Sequence, residues 1–139
     1  MPDAGVAAKW FLDDEDDLAP ARDLLREEAQ GRLSFVAPDC LYYEFGNLIR
    51  TAERRTPPRL TPARADEIIE SIRSKSVSTV PSRLLLVRAL ERSRASDVSL
   101  YDAFYVVAAE MLGATFVTAD DRLYERLRVL AFVRMLGQG

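Results

Sequence analysis

The sequence has 139 residues, of which 48% are apolar and 29% are charged, and its formal net charge is −3. This length and composition fit one globular domain over residues 1–139 and exclude a disordered chain. No apolar stretch approaches the roughly 20 residues of a membrane span, no signal-peptide pattern opens the chain, and the single cysteine, Cys40, cannot form an internal disulfide. We therefore expect a cytoplasmic protein without membrane contact.

Short apolar runs alternate with longer segments of helical periodicity along the chain. The predicted helices are a short segment at Val6–Leu12, Pro20 to about Gly31, Leu41–Arg54, Thr61 to about Ser74, Ser82 to about Ala95, Ser99–Leu112, and a helix opened by Asp120. The predicted strands that alternate with them are Ser34–Ala37, Val77–Val80, Thr115–Thr118 and, last, Val129–Val133. Strands that alternate with helices of about 10–15 residues indicate a parallel sheet covered on both faces. We therefore predict an α/β fold, in which sites form beyond the carboxyl ends of the strands.

Four acidic residues stand at positions where an acid is unusual. Asp3 and Asp120 end short apolar runs, whereas Glu44 and Asp102 interrupt helix-like apolar patterns. An α/β sheet brings strand ends and first helical turns together at one edge, so all four acids are predicted to meet there. The chain has no histidine. A cluster of carboxylates without histidine is typical of a site that holds Mg²⁺ or Mn²⁺ for phosphodiester hydrolysis.

Each of these acids also has a purely structural interpretation. Glu44 borders the apolar stripe of its helix and would pair with a nearby arginine. Asp102 follows Ser99 at the spacing of a capping box, Asp120 would cap the helix that it opens, and Asp3 would be a solvated acid at a frayed terminus. Singly, the capping interpretations are favoured for Asp102 and Asp120. The metal-site hypothesis depends on the convergence of all four.

Four motifs follow one another over nearly the whole chain. They are DAGVAAKWF at residues 3–11, APD with YYEFGN at residues 37–39 and 42–47, SLYDA at residues 99–103, and VTAD at residues 117–120. Together they resemble the PIN domain family and, more narrowly, the VapC-type toxins of toxin–antitoxin pairs. The resemblance implies a three-layer α/β/α sandwich with a central, mostly parallel sheet.

The same resemblance implies a metal-dependent endoribonuclease that is usually a homodimer and is restrained by a cognate VapB antitoxin. Carried over position by position, Asp3, Glu44, Asp102 and Asp120 would bind Mg²⁺ or Mn²⁺ and perform catalysis. Asp3 and Asp102 would be the main direct ligands. Thr118 and Asn47 match positions that support the site in this family.

Two departures from the family pattern fall on the first ligand. Only Met1 and Pro2 precede Asp3, where the family has three or more apolar residues that form the central strand, so we predict a short or truncated first strand. Gly5 stands where the family usually has Ser or Thr. These departures support an alternative function, a catalytically weak PIN-like module that binds RNA or a protein.

Four arginines flank the proline-rich loop after the helix of Glu44. They are Arg50, Arg54, Arg55 and Arg59. Because RNA carries phosphates, these arginines are candidate RNA contacts. The alternative is a solvated helix end whose cations complement the helix dipole.

An acidic run occupies Asp13–Asp17. Charge runs of this kind are usually solvated loops. We therefore favour a solvated loop over the alternative, a segment that attracts a basic part of the antitoxin.

Overall fold

The computed structural model describes residues 1–14 and 16–138. Its helices are α1 (Ala4–Ala8), α2 (Leu18–Ala29), α3 (Cys40–Arg54), α4 (Pro62–Ser74), α5 (Leu86–Ser96), α6 (Leu100–Leu112) and α7 (Asp121–Leu127), and its strands are β1 (Phe35–Pro38), β2 (Val77–Val80), β3 (Phe116–Thr118) and β4 (Val133–Met135). The predicted α/β class, with helices and parallel strands, is confirmed. No helix among these residues is long and apolar enough to cross a membrane.

The strands form two parallel pairs. β1 pairs with β2, and β3 pairs with β4. Ahead of α1, Pro2 forms a single parallel bridge to Val117 in β3. The Val117 amide donates to the Met1 carbonyl (2.9 Å), and the Asp3 amide donates to the Val117 carbonyl (3.1 Å). The first strand is therefore a single bridging residue, as short as predicted, and its bonds to β3 are made by the residues on either side of Pro2.

Local sequence signals fix several helix ends. The Thr61 hydroxyl accepts a hydrogen bond from the Arg64 amide, and Pro62 occupies the first turn of α4. These are favoured residues for a helix start. Gly113 ends α6 in the left-handed conformation, with φ of 61°, which glycine adopts without steric cost.

Helix α6 passes through the centre of the core. Seven consecutive residues, Ala103–Ala109, are buried, which matches its apolar composition on all sides. The ring of Tyr105 stacks on that of Phe116 in β3, with centroids 6.0 Å apart. This packing fixes Asp102, in the first turn of α6, relative to the end of β3.

Three predicted elements differ from the structure. The last strand begins at Val133 instead of Val129, because turn hydrogen bonds from Leu130 to Leu127 and from Val133 to Leu130 occupy this segment. The segment predicted as helical at Val6–Leu12 is helical only to Ala8 and continues as turns. The helix predicted from Ser82 is a 3₁₀ turn followed by α5. There the Asp39 carboxylate accepts hydrogen bonds from the Ser82 amide (2.9 Å) and hydroxyl.

The acidic run is exposed but bonded to cations of the same chain. Asp13 pairs with Arg22 (2.6 Å), and Asp14 pairs with Arg59. Glu15, in the middle of the run, lies outside the described residues. The prediction of a solvated loop holds for the exposed acids on either side of it.

Candidate metal centre

The four acids predicted from the sequence line one cavity of about 550 Å³, called here the acidic cavity. Asp3 follows the bridging residue Pro2, and Asp120 lies two residues beyond Thr118, the last residue of β3. Glu44 projects from α3 and Asp102 from the first turn of α6. The topology therefore gathers at one place side chains that are far apart in the sequence.

Asp3 and Asp120 each cap a helix with one carboxylate oxygen. Asp3 Oδ1 accepts from the Val6 amide at 2.8 Å. Asp120 Oδ1 accepts from the amides of Arg122 (2.9 Å) and Leu123 (3.0 Å). The structural interpretation of Asp120 as a cap is confirmed, whereas Asp3 is partly buried and not a frayed, solvated acid. Capping fixes the orientation of both carboxylates toward the cavity and leaves Asp120 Oδ2 without a protein partner in residues 1–14 and 16–138.

Asp102 forms part of the predicted capping arrangement. The Ser99 hydroxyl accepts from the Asp102 amide (3.0 Å) and donates to Asp102 Oδ2 (2.7 Å). A full capping box would have the acid accept from the Ser99 amide. Here the acid bonds to the Ser99 hydroxyl, and Oδ1 has no protein partner among the described residues. The cap therefore leaves an oxygen of Asp102 available for another ligand.

Glu44 forms no ion pair in the described part of the chain, so the structural alternative, in which it pairs with a nearby arginine, does not hold there. Its Oε1 atom is buried and forms no hydrogen bond of normal geometry, although the Tyr105 hydroxyl, which is unpartnered in the same way, and the Cys40 thiol lie close enough to the carboxyl group to lower its pKa. An uncompensated buried carboxylate oxygen is costly. This is the observation in the cavity that most directly calls for a cation. The apolar stripe of the same helix is buried at Leu41, Phe45, Ile49 and Ala52, whereas Leu48, predicted as part of it, is 39% exposed and lines the cavity.

The pKa values of three of the acids are raised. Burial raises the pKa of Asp3 to about 6, with the charges of Asp102 and Asp120 adding to the effect, while the Thr118 hydroxyl and Val6 amide oppose it. Burial raises the pKa of Glu44, and the charges of Asp102 and Asp3 contribute in the same direction, while hydrogen bonding from the Tyr105 hydroxyl and the Cys40 thiol opposes the shift. Burial likewise raises the pKa of Asp102. Without a cation the ionised cluster is thus electrostatically unfavourable.

The two predicted supporting residues lie close to the acids. Asn47 lines the acidic cavity one turn after Glu44. Thr118 is fully buried, and its hydroxyl accepts a hydrogen bond from the Asp120 amide (3.1 Å). Thr118 therefore contacts the backbone of one acid and the carboxyl of another, Asp3.

Among the described residues, no three acidic, histidine or cysteine side chains lie close enough to share one metal ion as they stand. The donor chemistry nevertheless fits Mg²⁺ or Mn²⁺, because the cavity offers carboxylate oxygens and Glu44 Oε1 lacks a partner. Coordination by three carboxylates requires these side chains to converge from their positions in this structure.

Two cationic residues line the same cavity, Lys9 and Arg59. Arg59 was a candidate from the sequence, and its guanidinium forms two hydrogen bonds of 2.7 Å with Asp14. Sequence reasoning missed Lys9, whose ammonium donates to the Asp16 carbonyl (2.8 Å). The available signal was a lone cation within the apolar segment after Asp3.

The other three candidate arginines lie away from the acids. Arg50 pairs with Glu53 on the same helix (2.9 Å), Arg54 is exposed at the end of α3, and Arg55 lines a separate surface pocket beside Asp14. Of the four, Arg59 is thus the arginine that lines the acidic cavity.

Gly5 lies directly against the first acid. A Cβ atom at this position would stand 3.3 Å from Asp3 Oδ1. A serine here, as in the family pattern, would require the Asp3 carboxylate to move by a few tenths of an ångström. Gly5 therefore permits the close approach of Asp3 to the first turn of α1.

Comparison with known proteins gives a matching family and solved structures of similar fold. The model of the PIN domain matches residues 1–129. The crystal structure of PAE2754 from Pyrobaculum aerophilum superposes with a TM-score of 0.62 at 19% sequence identity, covering 97% of this chain and 88% of that chain. No curated protein matches the sequence. At this identity the structural likeness supports the fold alone.

Proposed function

Because this chain belongs to the PIN domain family, whose members are commonly nucleases, we propose that it is a Mg²⁺- or Mn²⁺-dependent endoribonuclease and the toxin of a type II toxin–antitoxin pair. One observation carries the proposal: four carboxylates from separate elements line one cavity, and one of them, Glu44, has a buried oxygen without a partner. The proposal includes a homodimer and a VapB-type antitoxin as partners.

The acids have distinct roles in this proposal. Asp3 and Asp102 would hold the ion directly, Glu44 and Asp120 would hold it directly or through water, and one of these two would orient the attacking water. A divalent ion held by these carboxylates would supply positive charge to the scissile phosphate and the leaving oxygen and would make a bound water more acidic. Thr118 holds Asp3 and Asp120 in position, and Asn47 supports the cavity wall.

Arg59 and Lys9 would supply positive charge where RNA phosphates approach the acidic cavity. Both line the acidic cavity, and each phosphate that approaches the four carboxylates must be offset by positive charge. Arg59 is held at the rim by the exposed Asp14 carboxylate. An RNA phosphate presents oxygens of similar geometry, so it competes with Asp14 for the same guanidinium.

We expect Arg59→Ala to weaken RNA binding by roughly 5- to 10-fold at low salt and to reduce the slope of log K against log salt by about 1. Arg54→Ala is the matched control, since it removes the same charge from an exposed site. Binding is measured by fluorescence anisotropy in an Asp102→Asn background to suppress cleavage. Equal losses in the two variants would contradict the assignment to Arg59.

A second function, a non-cleaving RNA- or protein-binding module, is favoured by one observation. No three of the described carboxylates are close enough to share an ion as they stand. The single bridging residue before Asp3 and the glycine at position 5 agree with it.

The two functions are separated by thermal unfolding and by cleavage of an RNA pool, each with Mn²⁺ and with EDTA. For the nuclease we expect Mn²⁺ at about 100-fold above its Kd to raise Tm by roughly 5–10 °C, together with cleavage that EDTA stops. RNA binding without a Mn²⁺-dependent shift or cleavage would replace the nuclease by the binding module.

A further inference from the structure

Tyr105 is a buried polar side chain to which the proposed mechanism gives no role. The residue is 1% exposed, and its ring stacks on that of Phe116. Its hydroxyl is buried and forms no hydrogen bond of normal geometry with the described residues. A phenylalanine would fill the same space without burying an unpartnered polar atom, which is costly. The hydroxyl therefore calls for an explanation other than packing.

The Glu44 carboxyl lies beside this hydroxyl. Each group is close enough to affect the pKa of the other through a hydrogen bond, yet Glu44 Oε1 is buried and unpartnered in the same way as the hydroxyl. One atom is thus an acceptor without a donor, and the other is a donor without an acceptor. Burial raises the pKa of Tyr105, so the phenol keeps its proton. A hydrogen bond from Tyr105 to Glu44 would satisfy both atoms.

Helical spacing places both groups against the wall of the acidic cavity. Tyr105 follows Asp102 by three residues on α6, so the two side chains lie on the same side of that helix. Glu44 follows Cys40 by four residues on α3, and the Cys40 thiol also lies near the Glu44 carboxyl. A thiol is a weak donor, so the phenol is the stronger of the two. Tyr105 therefore connects Glu44 to the helix that carries Asp102.

The two oxygens of Glu44 have different surroundings. Oε1 is enclosed, whereas the side chain lines the acidic cavity, so Oε2 is the oxygen left for a cation there. A carboxylate accepts at both oxygens, and a hydrogen bond at one of them restricts the orientation of the other. Carboxylates that bind metal ions are themselves usually held by hydrogen bonds from neighbouring groups.

We propose that Tyr105 is a positioning residue of the acidic cavity: its hydroxyl donates a hydrogen bond to Glu44 Oε1 and holds Oε2 toward the place where the divalent ion would bind. Tyr105 does not line the acidic cavity, so it acts through Glu44. Its stacking on Phe116 holds the phenol in place. The effect on the ion rests on the proposed function, whereas the hydrogen bond itself does not.

The first test compares Mn²⁺ binding by wild type, Tyr105→Phe and Tyr43→Phe in calorimetric titrations. Tyr43 is the matched control, because it is 76% exposed on α3 and loses the same hydroxyl next to Glu44 in the sequence. We expect Tyr105→Phe to weaken Mn²⁺ binding by roughly 10-fold, as is typical when a group that orients a metal ligand is removed. Tyr43→Phe should bind as wild type does. Tm in EDTA shows that each variant is folded.

A second measurement detects the hydrogen bond in the metal-free protein. Tyrosine is labelled with ¹³C at Cζ, and the Tyr105 signal is assigned through contacts of its ring with that of Phe116. We expect this signal to move in Glu44→Gln, because an amide oxygen is a weaker acceptor than a carboxylate. The signals of the other tyrosines should stay in place.

Three results would overturn the proposal, and they can be told apart. An unmoved Tyr105 signal in Glu44→Gln would show that the hydrogen bond is absent. Equal Mn²⁺ affinities of wild type and Tyr105→Phe would show that Tyr105 is a packing residue without a positioning role. A wild-type protein that binds no Mn²⁺ would contradict the metal-dependent function itself, and with it the positioning of Glu44 for an ion.

Discussion

Asp102→Asn is expected to reduce Mn²⁺-dependent RNA cleavage by more than about 100-fold while leaving the fold intact. Loss of a group that merely orients a metal ligand typically costs 10- to 100-fold, and this substitution removes the charge of a proposed direct ligand. The volume is nearly unchanged, and the Asp102 amide retains its hydrogen bond to the Ser99 hydroxyl. Initial cleavage rates in Mn²⁺ and Tm in EDTA measure the two effects.

Asp121→Asn is the matched control for this experiment. Asp121 is exposed, lies next to Asp120 in the sequence and does not line the acidic cavity. It should keep full activity and the full Mn²⁺ response. Ser99→Ala tests the capping role separately, and it should cost about 1 kcal/mol of stability without abolishing the Mn²⁺ response. If Asp102→Asn instead lowers Tm in EDTA and leaves the Mn²⁺-dependent shift unchanged, its role is that of a cap only.

Asp3→Asn is expected to stabilise the metal-free protein and at the same time abolish its cleavage activity. Burial raises the pKa of Asp3 to about 6, so at pH 7.5 the carboxylate is ionised at an unfavourable position. Asparagine removes that charge and is an equally good N-cap for α1. We expect a gain of roughly 1–3 kcal/mol in the free energy of unfolding in EDTA, and loss of the Mn²⁺-dependent rise in Tm.

The same shift in the pKa of Asp3 makes the stability difference between wild type and variant depend on pH. Because the pKa of Asp3 is higher in the folded than in the unfolded protein, its favourable contribution is present below about pH 4 and is lost as the pH rises through about 6. The variant should therefore match the wild type near pH 4 and exceed it above pH 6, as measured by denaturant unfolding. Asp66→Asn, an exposed acid on α4, should show no such divergence. A variant that is less stable than wild type at pH 7.5 would contradict the prediction.

Much of the element order is determined locally by the sequence. Pro62 after Thr61, Gly113 after Leu112, and the apolar composition of α6 each act through neighbouring backbone and side chains, so their consequences are readable without tertiary contacts. The alternation of strands with helices likewise predicts the α/β class. The acids at strand ends and in first helical turns are predicted to meet by topology alone, and all four do line one cavity.

Other features depend on contacts between segments far apart in the chain. The start of β4 depends on turn hydrogen bonds, and the 3₁₀ turn before α5 depends on a hydrogen bond to the Asp39 carboxylate. The hydrophobic periodicity of the sequence does not predict either of these contacts. The choice of Arg59 over the other three arginines depends on how its loop folds back against the residues after α1.

The sequence by itself determined the class of the fold and which acids are brought together, because hydrophobic periodicity and helix caps are local properties of the chain. Only the tertiary structure decided the electrostatics of the site. Burial, the unpartnered oxygen of Glu44 and the raised pKa of Asp3 arise from what surrounds each group in space.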